Sequence, residues 1–279
     1  MSALVWPSGR ARLALGGAAA VALLAVLETV VALVAPARAP TEADWDAAAA
    51  AVRQGFRPGD LIVAAPRWAD PILRVHLGDL IPPEMAARMD DARYPRVWEI
   101  GQRGARSPEG MRGEVRADRA FGRLRVRLIE RQAPVVTYDF AAHAADARVA
   151  VQPGGAGGPG LQRKIVEVDQ RLRLALMTEP LAGRTVSVEF PAVPLGRELA
   201  IATGLHDTWM RKAATGTVQG QLVIGERHVP LPETSNASGW TETRVDTSAE
   251  QGRTMPVRLE ISSAAPLDRF FAFAAEARR

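Results

Sequence analysis

Cysteine is absent from this chain of 279 residues. A protein without cysteine forms no disulfides, has no thiolate nucleophile and cannot hold zinc through sulfur ligands. Aromatic residues are scarce as well, at 5% of the chain. We therefore expect a core built mainly from alanine, valine, leucine and isoleucine.

Lysine occurs only at positions 164 and 212, so the high pI of about 10.2 comes almost entirely from arginine. Basic residues number 35 against 31 acidic ones, a net charge of +4. The arginines are scattered between apolar residues, as at Arg123, Arg125 and Arg127. Nucleic-acid binding typically requires a basic patch. We predict no nucleic-acid partner.

Residues 13–35 form one long apolar stretch that contains a single ionisable side chain, Glu28. About 20 such residues cross the ~30 Å hydrocarbon layer of a bilayer as a helix. Arg10 and Arg12 precede the stretch, and an acidic run follows it. Because cytoplasmic flanks carry the positive charge, we predict a single-pass protein of the bacterial inner membrane with its bulk in the periplasm or another extracytoplasmic space.

A cleaved signal peptide is the alternative, since residues 37–39 read Ala-Arg-Ala and residues 13–27 match the length of a signal peptide's apolar region. The apolar stretch resumes as far as Val34, however, and Pro40 would directly follow the cleavage site. We favour an anchor over a signal peptide. Both interpretations export the chain.

Glu28 is a candidate contact with a membrane partner. A carboxylate inside a membrane costs ~2.5–3.5 kcal/mol on insertion scales, so an integral membrane partner protein is one explanation for it. The alternative is a glutamate that is protonated or reached by water near the outer third of the helix.

The order of predicted helices, strands and Gly/Pro-rich stretches divides the chain into four segments. After Thr41, a favourable N-cap, residues 42–55 read as a helix, and residues 61–65 read as a buried parallel strand. Further helices are expected from Asp70 and from Pro83, and further strands at 97–100, 124–129 and 135–138. We predict an α+β multidomain protein with these parts: a cytoplasmic N-terminus and transmembrane anchor (1–40), a small α/β domain (41–150), a Gly/Pro linker (151–160) and a β-sandwich (161–279).

A cluster of polar and aromatic residues follows the first strand, where open α/β sheets usually bind ligands. The ligand-binding candidates here are Arg67, Trp68, Asp70, Arg74 and His76. The alternative is structural: Asp70 would cap a helix and pair with Arg74 four residues later, and Trp68 would fill the sheet edge. No nucleophile or second metal ligand accompanies His76, so we predict no catalytic residue there.

Short runs of strand length, several with apolar residues at every second position, fill the last segment. This pattern predicts an antiparallel β-sandwich, specifically a jelly roll. The predicted strands lie at 164–168, 172–177, 185–190, 198–202, 218–224, 241–246, 256–262 and 270–275.

Loops of the predicted sandwich supply a second set of ligand-binding candidates: His206, Asp207, Trp209, Arg211, Asn236 and Trp240. Saccharide binding would use their aromatic and planar polar groups. In the alternative, Trp240 plugs one end of the sandwich, and Asp207 and Asn236 make turns. No spaced acidic loop supports a calcium site. We predict no metal and no cofactor.

Two resemblances add to this interpretation. The order Arg57-Pro-Gly-Asp60, Trp68-x-Asp-Pro71 and Arg96-x-Trp-Glu99, followed by a Leu-Arg-Val strand at 124–126, resembles the soluble tail of bacterial polyprenol-phosphate-dependent, mannosyltransferase-like glycosyltransferases. It covers residues 42–130. Those enzymes act through many membrane helices and this chain has one, so the resemblance implies a setting, envelope glycan assembly, and no active site.

Residues 161–279 resemble a galactose-binding-like jelly roll, on the strength of Val193-Pro-Leu-Gly196, the Gly239-Trp240 pair and the closing segment Arg269-Phe-Phe-Ala-Phe273. This resemblance implies carbohydrate binding. We therefore predict a membrane-anchored accessory or binding protein whose partners are the membrane and a glycan or lipid-linked saccharide, and we favour this over an enzyme. The alternatives are a structural subunit of an integral membrane complex and a carboxylate-dependent glycan-active enzyme.

Overall fold

The computed structural model describes residues 9–37, 39–154, 158–206, 216–264 and 269–279, and in the first helix it describes side chains only for residues 16–34. Its first element is helix α1 (Gly9–Ala37). The segment Gly16–Val34 has a mean hydropathy of 2.4, and none of it is buried against the rest of the protein. Helix α1 is thus long and apolar enough to cross a membrane, although a signal sequence would share these properties.

Helix α2 (Glu42–Gly55) begins with a reciprocal pair of capping hydrogen bonds. The backbone N–H of Asp44 donates to the Thr41 hydroxyl over 3.2 Å, and the N–H of Thr41 donates to the Asp44 carboxylate over 2.9 Å. Two N–H groups that lack helical partners are thereby satisfied. The helix buries Trp45 and Val52 against the sheet that follows, which confirms the predicted helix.

A four-stranded sheet forms the rest of this first module, which comprises residues 41–131. Its strands are β1 (Leu61–Ala65), β2 (Arg96–Gln102), β3 (Glu114–Phe121) and β4 (Leu124–Glu130), in the order β1-β2-β4-β3. Strand β1 runs parallel to β2 and is buried throughout, as predicted. Helix α3 (Asp70–Leu77) packs Leu73 and Leu77 on the sheet beside α2. Helix α4 (Pro83–Ala86) begins at the predicted Pro83 and is a single turn.

Two antiparallel sheets make up the sandwich, residues 135–279. Their strands are β5 (Val136–Asp139), β6 (Arg148–Gln152), β7 (Gln162–Val168), β8 (Arg171–Thr178), β9 (Thr185–Pro194), β10 (Glu198–Leu205), β11 (Gln219–Ile224), β12 (Arg227–Pro230), β13 (Thr241–Asp246), β14 (Thr254–Ser262) and β15 (Phe271–Arg278). The six-stranded sheet has the order β13-β10-β15-β8-β7 with β5 beside β15, and the five-stranded sheet has the order β12-β11-β14-β9-β6.

The strand pairs of the sandwich are nested. Strand β8 pairs with β15, β9 with β14, β10 with β13 and β11 with β12. Consecutive strands alternate between the two sheets from β8 to β11 and again from β12 to β15. This order is typical of a jelly roll. The apolar faces of the two sheets meet in one core that includes Phe190, Leu199, Leu259 and Phe273. The predicted β-sandwich is confirmed.

The sandwich begins earlier than the predicted residue 161. Strand β5 pairs with the end of β15, and β6 pairs with β9, so both belong to the sandwich. The Gly/Pro segment at 151–160 accordingly joins β6 of one sheet to β7 of the other, instead of separating two modules. We did not predict β3, β6 or β12. Charged residues interrupt the apolar alternation of β3 and β12, and β6 runs into the Gly/Pro segment that we predicted to be a linker.

The first module covers the outer face of the six-stranded sheet. Met89 packs there against Trp240, Ala272 and Ala274. Every residue of β15 is buried as a result, since the core covers one of its faces and the first module covers the other. The two modules therefore pack together.

Buried charges complete this contact at the end of β15. The Arg278 guanidinium donates to both carboxylate oxygens of Asp90, each over 2.9 Å, and Arg93 donates to Glu276 over 2.9 Å. The side chains of Arg278 and Glu276 are each 1% exposed. Burial alone would raise the pKa of Asp90, but the hydrogen bonds from Arg278 and Ala92 together with the positive charges of Arg278 and Arg244 lower it. If the two modules shifted apart, these buried charges would lose their partners, which is energetically costly. The ion pairs therefore favour this one arrangement of the modules.

Candidate functional site

A groove of about 440 Å³ crosses the outer face of the five-stranded sheet. Leu222 and Leu259 point into the core, and because side chains alternate along a strand, their neighbours on β11 and β14 point outward. The polar residues that line the groove are Thr185, Gln219, Gln221, Glu233, Glu260 and Ser262. Pro230 and Leu231 add apolar surface at one side.

Strand register sets these polar groups in rows. Gln221 on β11 stands opposite Glu260 on β14. Ser262 on β14 stands between Gln219 and Thr185 on its two neighbouring strands. Adjacent strands lie about 4.8 Å apart, so the rows form a flat array of hydrogen-bond donors and acceptors.

Glu260 is the fixed charge of this array. The Gln221 amide donates to Glu260 Oε2 over 2.6 Å, and Arg258 Nε donates to Glu260 Oε1 over 2.8 Å. Burial acts to raise the pKa of Glu260, but the two hydrogen bonds together with the positive charge of Arg258 and the effect of His228 lower it. Each carboxylate oxygen keeps a further lone pair, and the Gln221 carbonyl is also an acceptor. Glu260 therefore stays ionised and can accept hydrogen bonds from a ligand.

Of the ligand-binding candidates that follow β1, some side chains are exposed and others are paired within the protein. Trp68 is 62% exposed, and the equally exposed side chain of Arg67 has its guanidinium 3.9 Å from Glu109. Asp70 accepts from Arg74 over 2.6 Å, which is the structural pairing that the four-residue spacing allows. The structure thus leaves Trp68 as a free aromatic surface on the first module.

The side chain of His76 on α3 packs against α2. Its ring stacks on Trp45 with centroids 5.7 Å apart, and its side chain is 6% exposed. The two ring nitrogens face different carboxylates: Asp46 lies 3.2 Å from Nδ1 and Glu42 lies 3.6 Å from Nε2. The ligand atoms of these three residues lie within 4.8 Å of one another. One metal ion could use only one nitrogen of the ring, so the arrangement favours a helix-to-helix contact over a metal site.

The loop candidates of the sandwich are dispersed. Trp240 is 8% exposed, donates from Nε1 to the Arg171 carbonyl over 3.0 Å and carries the Arg173 guanidinium over its ring, so it is part of the packing and not a surface for a ligand. Asn236 is exposed in a turn. His206 directly follows β10, and its Nδ1 is buried without a hydrogen-bond partner among the described residues. Asp207, Trp209 and Arg211 lie outside the described residues.

Glu28 is exposed on α1, and the hydroxyl of its neighbour Thr29 donates back to the Ala25 carbonyl over 2.7 Å. Nothing in the described chain lies against Glu28, so its role as a partner contact stays a prediction.

For the carboxylate-dependent enzyme that the sequence leaves as an alternative, the pairs that could act are Asp70 with Asp79 and Asp90 with Asp91, and all four carboxylates are bound to arginine. Asp79 accepts from Arg53 over 2.6 Å, and Asp91 accepts from Arg131 over 2.7 Å, while Asp70 and Asp90 hold the partners given above. The hydrogen bonds from Arg53 also lower the pKa of Asp79. A general acid needs a raised pKa, so neither Asp79 nor Asp90 is suited to proton donation.

No protein-family model and no curated protein matches the chain. Partial similarity is found to solved structures. A TmCBM61 structure in complex with β-1,4-galactotriose is 8% identical with a TM-score of 0.33, over 52% of this chain and 99% of that one. A CBM51-2 structure in complex with GlcNAc, with INT domains of Clostridium perfringens ZmpB, is 9% identical with a TM-score of 0.35, over 59% of this chain and 40% of that one.

A glycoside hydrolase domain of Endo-D from Streptococcus pneumoniae R6 is 11% identical with a TM-score of 0.32, and this chain covers 21% of its length. At such scores these similarities carry no argument about the ligand or the activity of this protein. The resemblance of residues 42–130 to glycosyltransferase tails gains no support from the comparisons and stays a prediction.

Proposed function

We propose that this protein is a membrane-anchored, extracytoplasmic glycan-binding protein, and that the groove on the five-stranded sheet holds the saccharide. The observation that carries the proposal is the row of outward polar side chains around Gln221 and Glu260 on a rigid sheet. Sites built on strands hold their groups more precisely than sites on loops.

The chemistry of the groove suits a neutral saccharide. Its charged lining residues are Glu233 and Glu260, and its remaining polar groups are amides and hydroxyls. A sugar presents many hydroxyl donors, which the Glu260 carboxylate and the Gln221 carbonyl can accept. Two carboxylates would repel an anionic ligand.

Apolar contact with a sugar ring would come mainly from the exposed Pro230 at the groove's side, since Leu231 is largely buried in the core. No aromatic residue lines the groove within the described chain, so affinity would rest mainly on hydrogen bonds. The segment 207–215, which includes Trp209, connects β10 to β11, and β11 lines the groove. We predict that Trp209→Ala lowers glycan affinity.

Membrane anchoring and orientation complete the proposal. Four residues separate α1 from α2, so an α1 that spans the bilayer would hold the first module close to its surface. The arginines before α1 favour export of both modules. Together with the resemblance of residues 42–130, this setting suits the assembly of envelope glycans.

A glycan array probed with the full chain in a non-glycosidic detergent tests the proposal. We expect binding to neutral envelope saccharides, and we expect Glu260→Gln and Gln221→Ala each to weaken it about tenfold, or roughly 1.4 kcal/mol. The matched controls are Glu167→Gln and Gln162→Ala, exposed positions on β7 of the other sheet. Absence of binding across the array, or equal losses in the controls, would overturn the proposal.

A further inference from the structure

A second cavity, of about 410 Å³, lies where the two modules meet. The first module contributes Asp91 to its wall, and the sandwich contributes Glu198. Six arginines line the same cavity: Arg112, Arg131, Arg197, Arg244, Arg278 and Arg279. We propose that this junction cleft binds a phosphate or diphosphate group, independently of the saccharide groove.

Two of the six arginines have structural roles. Arg131 is bound by Asp91 and by the backbone carbonyls of Tyr94 and Glu109, and its side chain is 8% exposed. Arg278 is saturated by Asp90 and Glu276. These arginines form the floor of the cleft and fix the two modules around it.

Of the other four arginines, Arg112, Arg197 and Arg279 make no ion pair with a carboxylate side chain among the described residues, and Arg244 shares two carboxylates with Arg278. Arg112 and Arg279 are exposed and have no carboxylate partner among the described residues. Arg197 donates to the neutral Gln251 amide over 3.3 Å. Arg244 is 48% exposed and lies 3.5 Å from Glu198 and 3.7 Å from Asp90. The cleft therefore has an excess of guanidinium donors over acceptors.

Guanidinium groups suit phosphate because their N–H donors match its oxygens in pairs. The available arginines come from separate segments: Arg112 precedes β3, Arg197 precedes β10, and Arg244 lies on β13. A tetrahedral phosphate or a diphosphate presents oxygens in several directions and can be met from all of these segments at once. A planar carboxylate is satisfied by one guanidinium fork, so this distribution favours phosphate.

The junction cleft and the groove differ in the charge of the residues that line them. The groove lining is acidic and polar, whereas the junction cleft is basic. One molecule with a neutral sugar part and a phosphate part would find both chemistries on this protein, but neither site depends on the other.

A calorimetric titration of the full chain with sodium pyrophosphate tests the cleft. We expect saturable binding that exceeds the binding of citrate at equal ionic strength. Arg112→Gln and Arg244→Gln should each weaken pyrophosphate binding about fivefold or more. Arg163→Gln, an exposed arginine on β7, is the matched control and should stay within about twofold. Arg112 makes no structural ion pair, so its variant reports on binding even if Arg244→Gln loosens the junction.

Reconstitution into phosphatidylcholine vesicles, with and without phosphatidic acid, distinguishes the source of the phosphate. Competition between phosphatidic acid and pyrophosphate would identify a lipid phosphate, and the absence of competition would identify a soluble one. Both outcomes support the site. Absence of saturable pyrophosphate binding, citrate binding of equal strength, or full affinity in both cleft variants would overturn it.

Discussion

The two outer faces of the sandwich differ in what covers them. On the six-stranded sheet, Ala272 and Ala274 lie beneath Met89 of the first module, and Arg278 is buried against Asp90. On the five-stranded sheet, the corresponding outward positions carry polar residues around an open groove. The sandwich thus uses one face to fix the modules and leaves the other free for a ligand.

The carboxylates on the two outer faces also differ, in their exposure and in the direction of their pKa shifts. Glu276 on the covered face is 1% exposed, and burial raises its pKa. Glu260 on the open face has a lowered pKa, because burial is offset by its hydrogen bonds combined with the positive charge of Arg258. A carboxylate beneath a neighbouring module serves packing, whereas an ionised and reachable carboxylate can serve recognition.

Removal of Asp90 should have the largest effect on the covered face. Asp90→Ala leaves Arg278 buried without its bidentate partner, which typically costs about 3–5 kcal/mol. Denaturant unfolding at pH 7 measures this loss. The control is Glu114→Ala, which removes an exposed partner of the exposed Arg116 and should cost less than about 1 kcal/mol. Equal costs would mean that the junction charges contribute no more than a surface pair.

The pH dependence of glycan binding tests the open face. Since the pKa of Glu260 lies below its ordinary value of 4.5, the carboxylate stays charged from pH 7 to about pH 5. Affinity should be constant over that window and fall as the pH drops through the lowered pKa. Glu260→Gln should remove this acid limb of the profile. A fall in affinity between pH 7 and pH 5 would contradict the assignment.

At pH 7, Glu276→Gln should lower the free energy of unfolding less than Asp90→Asn does. The raised pKa of Glu276 means that the fold disfavours its charged form; the associated stability is complete below pH 4.5 and is lost as the pH rises through the raised pKa. Asp90 has the opposite sign: its contribution is complete above pH 3.8 and is lost as the pH falls through its lowered pKa. We therefore expect Glu276→Gln to lower the free energy of unfolding less than Asp90→Asn does, because burial already disfavours the charge that is removed from Glu276. Thermal unfolding of both variants at pH 7 compares them, and the reverse order would refute this account.

Trp68→Ala should have the smallest effect on stability. The indole is 62% exposed, so the free energy of unfolding should change by less than about 0.5 kcal/mol. Trp68 does not line the groove, and saccharide affinity there should remain unchanged. A tenfold loss of affinity on the array would instead show that the first module contacts the saccharide.

Much of the architecture follows from local patterns. The capping residues around Thr41 marked α2, the continuous apolar run at residues 61–65 marked a buried parallel strand, and alternation marked most strands of the sandwich. Each of these signals lies within a few residues of the element that it specifies.

The two sites were not predicted, because both depend on long-range pairing. Gln221 and Glu260 look like ordinary solvent-facing strand residues until the register of β11 and β14 places them side by side. The junction cleft needs Arg112 and Arg244, which are 132 positions apart in the sequence, to meet. The small outward residues Ala272 and Ala274 were a usable sign that the six-stranded sheet is covered.

Cysteine labelling compares the two faces most directly, because the chain contains no other thiol. Gln219→Cys places a thiol at the groove, and Ala274→Cys places one beneath the first module. We predict fast maleimide labelling of Gln219→Cys that bound saccharide slows, and slow labelling of Ala274→Cys that saccharide does not change. Equal labelling rates at the two positions, or saccharide protection at Ala274→Cys and not at Gln219→Cys, would contradict the account.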